Sequence, residues 1–193
     1  MKNLMMTAAA CALAAIGFAQ PPGGGPPAEG SSPVITHPTY TSVEMEATVN
    51  KPAAEVWKRV GKFCDIGEWL QVPCTIVSGK DGELGTVRSI GSEVLVGQTE
   101  LSYTYTQPVR ANQPYILYHG TLEARPLTAT TCKLIYTLVW DNSPLADDAA
   151  REQDKMRRKA QFQRAVDNMK ILAEGGTLPP APARGGGGKK GKQ

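Results

Sequence analysis

CKLIYTLVWD, residues 132–141, followed at once by NSPLADDAAREQDKMRRKAQFQRAVDNMKILAEGG, residues 142–176, is the stretch that decides the fold. In its first part Cys132, Leu134, Tyr136, Leu138 and Trp140 recur at every second position, the period of a strand with one buried face. In its second part the period lengthens to that of a helix. Ser143-Pro144 is a start signal, Asp147 and Asp148 fall in a first turn where the macrodipole favours them, and Gly175-Gly176 is a stop. Over Ser143–Glu174 such a helix is ~48 Å long. Only its second half carries an apolar stripe, of Phe162, Ala165, Val166, Met169, Leu172 and Ala173. The first half, Arg151–Gln161, is almost wholly polar and is expected to run past the sheet edge or to fray.

Upstream, from Cys74 to Asn142, the punctuation is turn chemistry: Gly79-Lys80-Asp81-Gly82, Gly91-Ser92, Gly97-Gln98, Asn112-Gln113-Pro114 and Pro126. Between these lie runs rich in β-branched and aromatic residues, at Thr75–Ser78, Thr86–Ile90, Glu93–Val96, Leu101–Gln107, Tyr115–Arg125 and Cys132–Asp141. Short connections make them consecutive antiparallel neighbours, a meander. Further upstream, Tyr40–Val49 alternates, with Val43, Met45, Ala47 and Val49 on one face. Asn50-Lys51-Pro52 then supplies a cap residue and an early proline, before Val56, Trp57, Val60 and Phe63 at helical spacing. Gly61 and Gly67 divide this region into a short helix and a second turn carrying Trp69-Leu70. The order predicts an α+β fold: one strand, two short helices, about six meandering strands, and a long C-terminal helix.

The two ends differ in composition from the middle. Of 20 Gly and 15 Pro in 193 residues, 4 Gly and 5 Pro lie between Gln20 and Pro33, and 7 Gly and 3 Pro between Gly175 and Gln193. Both stretches have too few apolar groups to offset ordering entropy and read as a linker (residues 20–38) and a Gly/Lys-rich tail (residues 177–193). Val34–Glu174, 141 residues, is one domain's worth of chain. The net charge of +3 belongs to the ends. Setting aside Lys2, Glu29 and the four basic tail residues Arg184, Lys189, Lys190 and Lys192 leaves the middle at −1. A nucleic-acid platform is therefore not expected. The tail, with only four charges, would make at most a weak contact with an anionic envelope surface.

Residues 1–19 have the layout of a secretory signal peptide: Met1-Lys2-Asn3 is positive, Leu4–Phe18 apolar and uncharged, and Gly17-Phe18-Ala19 small at the two positions that matter for cleavage. The apolar run of about 15 residues is short of the ~20 a transmembrane helix needs. A lipoprotein reading at Ala8-Ala9-Ala10-Cys11 has Ala where a larger aliphatic residue is expected. Cleavage after Ala19 places the mature chain in the periplasm or outside the cell, an oxidising compartment. Cys64, Cys74 and Cys132 then remain, and an odd count allows three alternative single bridges. Cys64 and Cys74 flank a compact segment and are the expected pair, closing a loop worth roughly 3 kcal/mol in the chain-entropy model. Cys132 is expected as a buried small apolar residue. Two histidines, His37 and His119, without paired ligand spacing predict no metal site, and no cofactor is expected.

Three local motifs carry a resemblance. Asn50-Lys51-Pro52-Ala53-Ala54-Glu55-Val56-Trp57 resembles the x-x-P-x-x-x-V-W opening of the first helix in the START-like, birch-pollen-allergen-like superfamily (SRPBCC). Phe63–Trp69 resembles that group's aromatic turn, and Leu84-Gly85-Thr86-Val87-Arg88 its G-x-x-R strand. The nearest branch is the polyketide cyclase/dehydrase-like proteins, and the resemblance spans about Tyr40 to Glu174. The signal peptide, the Cys64/Cys74 pair and the polar first half of the last helix depart from it. It implies a helix-grip fold, a curved antiparallel sheet of six to seven strands wrapped on the C-terminal helix, with an elongated apolar cavity between them.

On that picture Trp69, Tyr103, Tyr105, Tyr136 and Met169 are candidates to line a ligand cavity. Candidate chemistry depends on Tyr115–Arg125. If its apolar face (Ile116, Tyr118, Gly120, Leu122, Ala124) points inward, then His119, Glu123 and Arg125 form a solvated face, as charged residues favour. If the polar face points inward, His119 with Glu123 or Glu100 is a general acid/base pair and Arg125 holds a ligand carboxylate. A His119–Cys132 thiol dyad lacks an orienting third group. Three functions follow as expectations. They are an exported carrier of a lipid or hydrophobic aromatic metabolite, a cyclase/dehydrase-like enzyme, and an envelope interaction protein acting through its basic tail.

Overall fold

The computed structural model describes residues 37–110 and 113–181. Its elements are β1 (Tyr40–Val49), α1 (Ala53–Val60), α2 (Ile66–Trp69), β2 (Ile76–Ser78), β3 (Val87–Arg88), β4 (Glu93–Thr99), β5 (Ser102–Thr106), β6 (Ile116–Pro126), β7 (Cys132–Asp141) and α3 (Asp148–Ala173). All strands form one curved antiparallel sheet in the order β1-β7-β6-β5-β4-β3-β2, with α3 packed against it in a helix-grip arrangement. β2 to β7 is the expected meander, and α1 and α2 carry the chain from one sheet edge to the other. The predicted signal peptide, most of the linker and the tail beyond residue 181 lie outside the described residues. Residues 177–181 continue against the domain: Leu178 packs on the core, and the Gln71 side-chain amide donates to the Pro179 carbonyl at 2.8 Å.

The alternating faces sort as period two requires. Val43, Met45 and Val49 of β1 and Cys132, Leu134, Tyr136, Leu138 and Trp140 of β7 are buried under α3, whose stripe of Phe162, Ala165, Val166, Met169 and Leu172 closes the core. The long edge strand β1 is kept from further pairing by α3 itself. Gln163 Nε2 donates to the Glu46 carbonyl at 3.1 Å, and Lys170 Nζ to the Thr48 carbonyl at 2.6 Å.

Four local expectations need correction. The turn expected at Gly97-Gln98 is instead a register shift between Leu95 and Gly97, and β4 continues to Thr99 before turning at Glu100-Leu101. Gly tolerates the irregular backbone without ending the strand. α1 has Pro52 itself at its N-cap, and the Asn50 backbone N–H is taken by the Glu174 carboxylate at 2.9 Å. α3 begins at Asp148, not Ser143, so it spans ~39 Å. Asp147 caps it by accepting from the Ala150 N–H at 2.8 Å, and Ser143 folds back to Asp141.

The last correction concerns the polar first half of α3, which neither overshoots the sheet nor frays. Asp154 and Arg158 are each only 8% exposed, and Arg158 Nε donates to Asp154 at 2.8 Å. The Arg158 guanidinium lies 4.4 Å from the Tyr115 ring centroid, 5.0 Å from Trp140 and 5.4 Å from Tyr118. A neutralised guanidinium stacked on three aromatic rings thus takes the place of an apolar residue.

Candidate functional site

The G-x-x-R strand buries Arg88 beneath the α1–α2 segment. Its side chain is fully buried, 4.2 Å from the Phe63 ring centroid, 4.6 Å from Tyr105 and 5.9 Å from Tyr103. Its Nε donates to Glu93 Oε2 at 2.6 Å, and Nη1 donates to the Phe63 carbonyl at 2.5 Å. The second Glu93 oxygen accepts from Gln107 Nε2 at 2.7 Å, and the Tyr115 hydroxyl donates to Gln107 Oε1 at 2.9 Å. Burial pushes the Glu93 carboxyl above its usual range, against the pull of Arg88 and Gln107. Burial also opposes the charge on Arg88, but the Glu93 carboxylate beside it outweighs this and holds the guanidinium above its ordinary value.

Arg88 therefore fixes the segment that forms one wall of a surface cleft. Phe63 is gripped at both backbone groups, its carbonyl by Arg88 and its N–H by Asp81 Oδ1 at 3.2 Å. The cleft, of about 400 Å³, lies between α1, the Asp81-Gly82 turn and the β4–β5 hairpin. Trp57, Phe63, Leu95 and Tyr103 give it an apolar wall, and Lys58, Lys62, Asp81 and Gln98 stand among its polar groups. Trp57 packs 5.7 Å from the Tyr103 ring centroid and lies flat over Gly61, where any Cβ would collide with the indole. Tyr103 is 3% exposed, and its phenol is raised by burial against the pull of Arg88.

The expected ligand residues separate on this map. Tyr103 lines the cleft. Trp69, Tyr105, Tyr136 and Met169 are wholly buried in the core between sheet and helix. There the Tyr105 and Tyr136 hydroxyls satisfy each other at 2.7 Å, Trp69 packs edge-on against Tyr136 at 5.9 Å, and Asn168 donates to the Trp69 carbonyl at 2.9 Å. Burial raises the phenols of Tyr103, Tyr105, Tyr118 and Tyr136, so they stay protonated and serve as donors, not bases.

The inward face of β6 is the apolar one, with Tyr118, Gly120, Leu122 and Ala124 buried. His119, Glu123 and Arg125 consequently lie on the outer face, and the acid/base pair and carboxylate clamp expected of them do not assemble. His119 Nδ1 is 2.8 Å from the Leu117 carbonyl, Arg125 pairs with Glu123 at 2.8 Å, and Glu100 is exposed in the β4–β5 turn. Cys132 is buried on the opposite face from His119, so no dyad forms. Cys64 and Cys74 are joined by a disulfide, next to Phe63 and around α2. Among the described residues no cluster of His, Cys, Asp and Glu has the makings of a metal site, and no helix is long and apolar enough to cross a membrane.

Sequence reasoning gave no role to Arg88, Glu93, Gln107 and Arg158. The usable signals were a charged residue closing a strand motif, an acid five residues on across a Gly-Ser turn, and an Asp154/Arg158 spacing of one helical turn.

Solved structures share the fold. A protein from Thermobifida fusca is 23% identical, with a TM-score of 0.58 over 72% of this chain and 97% of its own. The Zhui aromatase/cyclase from Streptomyces sp. R1128 is 19% identical, with a TM-score of 0.54 over 72% of this chain and 100% of its own. Truncated norcoclaurine synthase from Thalictrum flavum is 11% identical, with a TM-score of 0.54 over 75% and 99%. No curated protein matches by sequence. At these identities the structures speak to fold alone, but a family model matches residues 40–174, the whole of the sheet and its helices. The chain belongs to the polyketide cyclase / dehydrase and lipid transport family.

Proposed function

We propose that this protein is an exported binder of a small hydrophobic or aromatic molecule, held in the cleft between α1 and the β4–β5 hairpin. The observation that carries the reading is Tyr103. It lines the cleft, and its ring packs against Trp57 and Phe63, so that three aromatic rings make one continuous apolar wall. The apolar wall supplies the contact area, and a cleft of about 400 Å³ suits a molecule of one or two fused rings or a short acyl chain.

Trp69 and Trp140 are wholly buried and Trp57 is partly exposed in the cleft, so ligand binding is readable as a change in Trp57 fluorescence. Titration of the mature chain with neutral 2-naphthylmethanol is expected to give a saturable Trp57 response, and calorimetry to show weaker binding in Trp57→Leu. Native mass spectrometry of the protein recovered from its own compartment, with the N-terminus read in the same experiment, tests carrier and export together. A mature chain beginning near Gln20 with a bound small molecule supports both. Protein that leaves without ligand and gives no saturable titration defeats the carrier reading, and an intact Met1 defeats export.

A cyclase/dehydrase-like enzyme is the second reading, favoured by one observation. Arg88, a buried cation, stands behind Tyr103 and draws its phenol downward against the effect of burial. In such an enzyme the Tyr103 hydroxyl would donate to a substrate carbonyl and Arg88 would stabilise the charge that develops there. Turnover of an aryl ketone substrate that falls at least 100-fold in Tyr103→Phe, with substrate binding retained, would establish it; turnover unchanged by that substitution removes it.

A further inference from the structure

We propose that the ligand of this cleft is an anion, an aromatic or short acyl carboxylate whose charged end is held at the rim by Lys58 and Lys62. The proposal rests on the cleft being the binding site. Both lysines line it, four residues apart, at the C-terminal end of α1 and just beyond. The helix dipole at that end keeps ammonium groups in place. Neither lysine forms an ion pair with a described residue, whereas their neighbour Arg59 is held by both oxygens of Glu68 at 2.7 and 2.6 Å. Two ammonium groups lining one cleft repel one another, and an anion bound there relieves the repulsion while it gains two attractions.

Two acids stand nearby, and both are engaged with backbone. Asp81 lines the cleft and accepts the Phe63 N–H at 3.2 Å, and Asp65, outside the lining, accepts the Lys62 N–H at 2.8 Å. The other polar lining groups are neutral: Gln98 donates to the Gly82 carbonyl, and the Thr99 and Ser102 hydroxyls bond each other at 2.7 Å. The cleft therefore presents an aromatic wall and an excess of one positive charge at its rim. A carboxylate with a flat apolar body satisfies both.

The test compares matched probes on the mature chain: 2-naphthoate, neutral 2-naphthylmethanol and cationic 2-naphthylmethylammonium, each followed by isothermal titration calorimetry. At low ionic strength the carboxylate is expected to bind about tenfold more tightly than the alcohol, a preference that fades as salt screens the rim. In Lys58→Gln/Lys62→Gln the preference disappears while alcohol binding stays as it was, and Trp57→Leu weakens all three probes. If carboxylate and alcohol bind equally and the lysine substitutions change nothing, the anion proposal falls and the cleft stands. Tighter binding of the ammonium also overturns it, by making Asp81 the dominant charge. If no probe binds, the cleft reading itself fails.

Discussion

Arg88 shows how much a single buried charge determines. Its guanidinium is at once the partner of Glu93, the clamp on the Phe63 carbonyl and the cation beneath an aromatic shell. Replacing it by Met leaves Glu93 buried without its counter-ion, at a cost of about 3–5 kcal/mol in urea denaturation. Arg88→Met/Glu93→Gln, which removes both charges, is expected to recover a good part of that. A single substitution costing under about 1 kcal/mol would show that the pair is not coupled. Gly120 makes the complementary point about space. It lies under the Tyr105 ring, so Gly120→Ala pushes a methyl group into the Tyr105–Tyr136 pair and is expected to destabilise by about 1–3 kcal/mol.

Among the elements, α3 carries two kinds of adhesion in one helix. Its C-terminal half is held by an ordinary apolar stripe, and its N-terminal half by Asp154 and Arg158 against Tyr115, Tyr118 and Trp140. Burial raises the Asp154 carboxyl, but its hydrogen bonds and charge contacts with Arg158 and Arg157 prevail and hold it below the usual carboxylate value. A carboxyl depressed in the folded state contributes stability that is present above its unfolded value, near 3.8, and is lost as pH falls through its folded value. Acidification below about pH 4 is therefore expected to loosen the first turns of α3 while the Phe162–Leu172 stripe stays docked. Asp154→Asn is expected to reproduce this at neutral pH, costing about 2 kcal/mol and raising amide exchange over residues 148–158 alone. Uniform protection along α3 in that variant would refute the division.

At the scale of the whole molecule, the Cys64–Cys74 bridge ties α2 to the segment that Arg88 grips from inside. Reduction is expected to cost about 3 kcal/mol and to lower the melting temperature measurably. Because Phe63 adjoins Cys64 in the cleft wall, reduction should also weaken probe binding more than Cys132→Ala does. The helix-grip order, both faces of β1 and β7 and the apolar stripe of α3 were legible as periodicities, because burial on one face repeats at 2 or 3.6 residues along the chain. The polar half of α3 was misread, because the three rings that make Arg158 a core residue lie on β6, its approach and β7. The cleft was not legible at all: Trp57, Phe63, Leu95 and Tyr103 come from a helix, a loop and two strands, and no local pattern unites them. Nor was the fate of the tyrosines, which the resemblance cast together as a cavity lining. Packing decided that Tyr105 and Tyr136 pair in the core while Tyr103 faces the cleft. The order of elements and the inward faces can be read along the chain, since these follow from the hydrophobic effect acting on near neighbours. Which charges are buried and where room is left for a ligand emerge only on folding, since both depend on the close packing of side chains far apart in sequence.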